Sequence, residues 1–169
     1  MRTRIIVIVA IILSLNFGAN IPTQAIQRFE QHQTFSLKHA FELNAQRQQL
    51  VKIVKYIQTR QHKTPYVFSG STIHGWDCSG LVRYAYSRLG IELPHSADKQ
   101  GHLGRRVNKP RIGDIVVFAY KGRTDFYHAA LYVGNRQIVN ANREYNTTIV
   151  EPIKNFRHSE VRFIRIIEQ

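Results

Sequence analysis

A single cysteine, Cys78, serves all 169 residues, so no internal disulfide can form. One thiol and scattered histidines offer no zinc-ligand spacing, and His158-Ser159-Glu160 alone is too sparse to hold an ion. No metal or other cofactor is therefore expected. Acidic residues are few, 11 against 24 lysines and arginines, which leaves a net charge of +13. Long hydrophobic runs are missing too: the apolar stretch Ile5 to Leu15 is shorter than the ~20 residues a comfortable membrane span needs. Internal repeats and low-complexity segments are absent, and nothing argues for a second domain.

The short apolar stretch has a context. It follows Met1-Arg2-Thr3-Arg4 and precedes Asn16 to Ala25, whose end carries small residues. Charged, apolar and small-residue regions in that order match a secretory signal over residues 1–25. Cleavage after Ala25 leaves 144 of the 169 residues, a length suited to one domain, and an uncleaved membrane anchor is the alternative. Arg2 and Arg4 leave with the signal and lower the charge from +13 to +11. So basic a chain is drawn to polyanions. Its cations are spread out rather than clustered, so no specific nucleic-acid partner is expected. An exported protein meets anionic wall polymers or lipid surfaces, and a solvated basic surface without a particular partner is the bland alternative.

Residues 26–35 are mostly polar, and their three apolar members follow no clear period. With the start of the first helix they read as an N-terminal tether over 26–49, ahead of a domain over 50–169. From Ser36 to about Arg60 the pattern is helical, Leu50, Val51, Ile53, Val54 and Ile57 recurring at three- and four-residue steps. Pro65 blocks continuation, and Tyr66 to Ser71 reads as an extended piece entering a loop. A second helix is predicted from Asp77 as N-cap to Leu89, with Gly90 as its stop, and Cys78, Leu81, Val82, Ala85 and Leu89 on its inner face. A basic, loop-like stretch then runs through Pro110. Five strands follow: 112–120, 126–133, 137–141, 147–150 and 161–167. Helices first and strands afterwards imply an α+β fold with an antiparallel sheet.

An unpaired thiol in an exported chain is a buried small hydrophobe, half of an intermolecular bridge, or a nucleophile. Only the thiolate attacks strongly, and a first-turn position helps by aiming free backbone N–H groups at the sulfur. Asp77 opposes that effect, so an imidazole is needed. Most histidines lie on polar or loop-like stretches. His128 instead sits in a predicted strand whose alternation puts Phe126, His128, Ala130 and Tyr132 on one face; a structural histidine is the bland reading of it. With a hairpin centred on Gly134, Asn140 falls opposite His128 and its amide oxygen can accept the second imidazole N–H. Centring on Asn135 puts Asn142 there instead.

Several of these residues carry a family resemblance. Tyr66 with Ser69-Gly70, then Asp77-Cys78-Ser79-Gly80-Leu81-Val82, Gly90-Ile91-Glu92-Leu93-Pro94, Ile112-Gly113-Asp114-Ile115-Val116 and His128-Ala129-Ala130-Leu131-Tyr132-Val133-Gly134-Asn135 together resemble the NlpC-like cell-wall cysteine peptidases. The match covers about Leu50 to Ile167 in the family's order and spacing. It implies a papain-like α+β fold and hydrolysis of peptidoglycan stem peptides, typically beside γ-linked D-glutamate, by a monomer. It further implies that Cys78 is the nucleophile, His128 the base and Asn140 the orienter, with Tyr66, Asp77 and Ser79 at the substrate site. Three positions depart from the family pattern: Asn140 where histidine is common, Ser69-Gly70 where two glycines are usual, and His95 where arginine often follows Leu93-Pro94. The rivals are a non-catalytic wall-binding module with the same fold and an amidase or acyltransferase acting on another amide.

Overall fold

The computed structural model describes residues 22–168; the basic start and apolar run of the expected signal lie outside them. Helix α1 spans Thr23–Gln58, so residues 26–35 are helical and the helix begins well before Ser36. Their glutamine, arginine and glutamate side chains lose little rotamer freedom in a helix, so a stretch without apolar period can still extend one. Residues through Glu42 form a unit of their own, and the domain described below starts at Leu43. Within it, Leu50, Val54 and Ile57 are fully buried along one stripe of α1.

A short antiparallel hairpin, β1 (Ser71–Thr72) and β2 (Gly75–Trp76), follows. Two-residue strands carry no readable period, which is why this stretch looks like loop by sequence. The hairpin delivers Trp76 into the core, where its indole N–H donates to Thr148 Oγ1 at 2.8 Å. Helix α2 (Cys78–Ser87) starts directly after it. Its end is a glycine stop: Gly90 takes φ +74°, Gly90 N–H bonds Ser87 O at 3.0 Å, and Ile91 N–H bonds Tyr86 O at 3.1 Å. Leu81, Val82, Ala85 and Tyr86 are fully buried. Leu89, at the far end of the predicted inner face, is only partly buried and packs at the margin of the core.

The stretch through Pro110 is not all loop. It holds α3 (Ala97–Gly101) and β3 (Arg105–Val107), both too short to impose a period on the sequence. The remaining strands are β4 (Ile115–Tyr120), β5 (His128–Gly134), β6 (Gln137–Asn142), β7 (Thr147–Pro152) and β8 (Ser159–Arg165). They form a six-stranded antiparallel sheet in the order β3-β8-β4-β5-β6-β7. One core joins Ile115, Val117, Ala129, Leu131, Val139 and Ala141 of the sheet to α1 and α2. A smaller one on the other face joins Val116, Phe118, Ala130, Ile138 and Ile153. Phe126 precedes β5 and belongs to the helix-side core, not to the face of His128 as strand alternation suggests.

Asp114 anchors the approach to β4. Fully buried, its carboxylate takes Arg47 Nη1 at 2.9 Å, Arg165 Nη2 at 2.7 Å and Nε at 3.2 Å, and the Arg111 backbone N–H at 2.8 Å. One anion thus holds two buried guanidiniums from α1 and β8. Asp114→Asn should cost about 3–5 kcal/mol, because both cations stay buried without a counter-charge. Urea unfolding of wild type and variant checks this, and a loss below about 1 kcal/mol would refute the anchoring role.

Candidate active site

The N-terminus of α2 is organised around one carboxylate. Asp77 is the N-cap in extended backbone, φ −89° and ψ −177°. Its Oδ1 accepts the Gly80 N–H at 2.7 Å and the Ser79 hydroxyl at 3.0 Å, and Oδ2 accepts the Ser69 N–H at 3.0 Å. His95 Nε2 lies 2.9 Å from both oxygens. The histidine that stands at the family's arginine position thus meets this aspartate. Ser69 sits at φ +58°, the left-handed region where a side chain costs roughly 1–2 kcal/mol, which accounts for the glycine usual there; the Asp77 bond holds it in place. Gly80 is required by contact. A Cβ on it would stand 1.9 Å from Gly70 O.

Ser79 is buried with its hydroxyl committed to Asp77. Beneath it Gln100, fully buried, donates to Ser79 O at 2.9 Å and Pro94 O at 2.8 Å. Nothing in the sequence marks Gln100, because its partners are backbone carbonyls supplied by the tertiary fold. Tyr66 is half-buried above the same turn. Its phenol pKa is raised chiefly by burial and further by the nearby Cys78 and Asp77.

Cys78 opens α2 half-buried. Burial pushes its thiol up; the Ala129 backbone N–H pulls it back, Asp77 adds to the rise, and the Ser79 and Cys78 N–H groups lower it. The helix end alone therefore does not make a thiolate here.

His128 is the first residue of β5, next to Ala129, whose N–H meets the sulfur. Its ring lies 5.7 Å from that of Phe118 and 5.4 Å from that of Phe156, which stack on each other at 4.0 Å. Burial lowers its pKa to about 4, although Asn140, Glu151 and Asp77 all favour the charged form. Nε2 lies 3.0 Å from Asn140 Oδ1. Asn140, fully buried, donates through Nδ2 to Glu151 Oε1 at 3.0 Å. The amide oxygen thus faces the imidazole, Nε2 is the donor, and the lone pair is on Nδ1.

Asn142 takes another path. Its Nδ2 donates to Glu151 Oε1 at 3.1 Å, while Oδ1 accepts the Glu144 and Tyr145 N–H groups. Asn140 is therefore the partner of His128, though not through the register expected. The β5–β6 ladder pairs Leu131 with Val139 and Tyr132 with Ile138, then shifts before Gly134↔Gln137. On that register Asn140 stands level with Ala130, and its contact with His128 is diagonal. The turn residues Asn135 and Arg136 both take positive φ, and the Leu131–Val139 pair centres the hairpin on Asn135 rather than Gly134. Glu151, the acceptor behind both asparagines, lies one residue beyond the strand end read at Val150 and has no periodic signal.

A thiol at a helix N-terminus, packed on an antiparallel sheet that carries a histidine–asparagine pair, is the arrangement of the papain-like fold. The chain belongs to the NlpC/P60 family, whose family model matches residues 63–165. It is 40% identical over 105 residues to a gamma-DL-glutamyl hydrolase of Bacillus subtilis (strain 168), covering 60% of this chain and 25% of that protein. To a probable endopeptidase NlpC homolog of Haemophilus influenzae it is 38% identical over 89 residues, 51% of this chain and 46% of the other. It spans less than half the length of either relative. Among solved structures, the peptidoglycan hydrolase RipB of Mycobacterium tuberculosis superposes with a TM-score of 0.63 at 27% identity, over 73% of this chain and 67% of that one.

Proposed function

We propose that this protein is an exported cysteine endopeptidase that hydrolyses an amide bond of the peptidoglycan stem peptide next to γ-linked D-glutamate. The observation that carries the reading is the oriented His128–Asn140 pair, which leaves the lone pair on Nδ1, next in the strand to Ala129, whose N–H meets the thiol at the helix N-terminus. His128 Nδ1 takes the Cys78 proton as Sγ attacks the carbonyl carbon. The Cys78 backbone N–H donates to the oxyanion so formed. Collapse breaks the C–N bond, and the imidazolium passes its proton to the leaving amine. His128 then accepts a proton from water as its oxygen attacks the thioester carbon; the C–S bond breaks, the carboxylic acid leaves, and the imidazolium returns its proton to Sγ. Asn140 holds the ring throughout. Tyr66, Asp77 and Ser79 border the thiol and form the substrate side of the site.

The family membership and the gamma-DL-glutamyl hydrolase relative support the choice of bond. The charge pattern of residues 1–25 supports export, and the excess of basic residues suits a wall rich in anionic polymers. Purified peptidoglycan digested with the protein and read by mass spectrometry tests the reading. Expected are fragments that have gained one water at the γ-D-glutamyl bond. Binding without release of fragments would favour the wall-binding module, and cleavage at another amide would favour the amidase alternative.

A further inference from the structure

Glu151 lies in β7 with only 8% of its surface exposed, where a carboxylate needs close partners. Among the described residues it has three, all amides. Asn140 and Asn142 donate to Oε1 at 3.0 and 3.1 Å, and Asn155, from the turn after β7, donates to Oε2 at 3.0 Å. An asparagine side chain has a donor end and an acceptor end of nearly equal size, and a neutral imidazole can likewise present N–H or lone pair. The His128–Asn140 contact by itself is therefore compatible with either orientation. A carboxylate removes the ambiguity because it only accepts.

We propose that Glu151 is a positioning residue: by taking the Asn140 NH2 it forces Oδ1 toward the imidazole and so keeps the His128 proton on Nε2 and the lone pair on Nδ1. This rests on the cysteine peptidase reading above. Without Glu151, Asn140 is free to turn over. Its NH2 would then face Nε2, the proton would move to Nδ1, and the base would be blocked. The carboxylate also places a negative charge behind the ring, one of the influences that favour imidazolium against burial.

Glu151→Gln keeps the shape, removes the charge and replaces one of the two acceptor oxygens by an NH2, so at least one of the three amide donors is left facing a donor. Its kcat on a stem-peptide substrate should fall at least about tenfold with KM within about twofold, since Tyr66, Asp77 and Ser79, the proposed substrate side, are unchanged. The acid limb of kcat should move to lower pH, because the charge that favours imidazolium is gone. A merely structural role would lower thermal stability and leave that limb in place.

The complementary swap guards against a variant that folds poorly. Asn140→Asp alone sets two carboxylates against each other, whereas Asn140→Asp with Glu151→Gln restores an acceptor toward His128 and a donor behind it. The double variant should exceed Asn140→Asp by about tenfold or more in kcat/KM. Glu151→Gln at wild-type kcat with an unmoved acid limb, or a double variant no faster than Asn140→Asp, would overturn the proposal. Retained activity in Cys78→Ala would instead remove the peptidase reading beneath it, so the two failures are distinct.

Discussion

Cys78→Ala should remain folded, bind peptidoglycan as the wild type does, and lose hydrolysis by roughly 10⁴-fold or more. The fold tolerates the change because alanine is the best helix former and the side chain removed is small and only half-buried. The N-cap is untouched, since Asp77 draws on Ser69, Ser79, Gly80 and His95 rather than on the sulfur. On the proposed mechanism, what goes is the atom that would carry the acyl group. Iodoacetamide should inactivate the wild type with one adduct per chain, at Cys78. Because burial holds that thiol above its ordinary range, alkylation of the free protein should be slow at neutral pH and quicken as pH rises. Zymography on the alanine variant beside intact-mass measurement of the alkylated wild type gives both readouts. Full lytic activity in Cys78→Ala would refute the cysteine mechanism outright.

What could be read in advance divides by the range of the interaction. Asp77 as cap and Gly90 as stop are legible because a helix end is decided within a few residues, and both stand where the sequence places them. The thiol's position follows from the cap. Buried strands are legible as apolar runs, so β4 to β8 appear with ends displaced by a few residues, while β1, β2 and β3 are too short to show any period. The register of β5 on β6 is not legible, because it turns on an irregularity between Tyr132 and Gly134 that alternation cannot reveal. Alternation alone sets Asn140 opposite His128, the observed register sets it level with Ala130, and a diagonal contact brings it to His128 all the same. Asp114, Gln100 and Glu151 are the hardest cases. Each is a buried polar residue whose most distant partner lies 11 to 67 positions away, so only the folded chain shows what it satisfies.

His128→Ala should lower kcat/KM by about 10²- to 10⁴-fold, the range for a positioned general acid–base. The wild-type pH profile carries the more specific expectation. His128 acts as a base only when neutral, and burial between Phe118 and Phe156 lowers its pKa to about 4 from an ordinary 6.5. Activity should therefore persist as pH falls through 6 and 5 and be lost only near about 4, well below the limb an exposed histidine would give. The same shift has a stability cost of known sign. Between about 6.5 and about 4 the unfolded chain takes up a proton that the folded chain refuses, so stability falls as pH drops through that window, and His128→Ala should remove this contribution to the slope. Circular dichroism at each pH separates titration of the base from unfolding. An acid limb near 6.5 in a protein still folded at pH 5 would mean that the ring is solvated in the working enzyme, and the half-buried imidazole between Phe118 and Phe156 would not be the acting base.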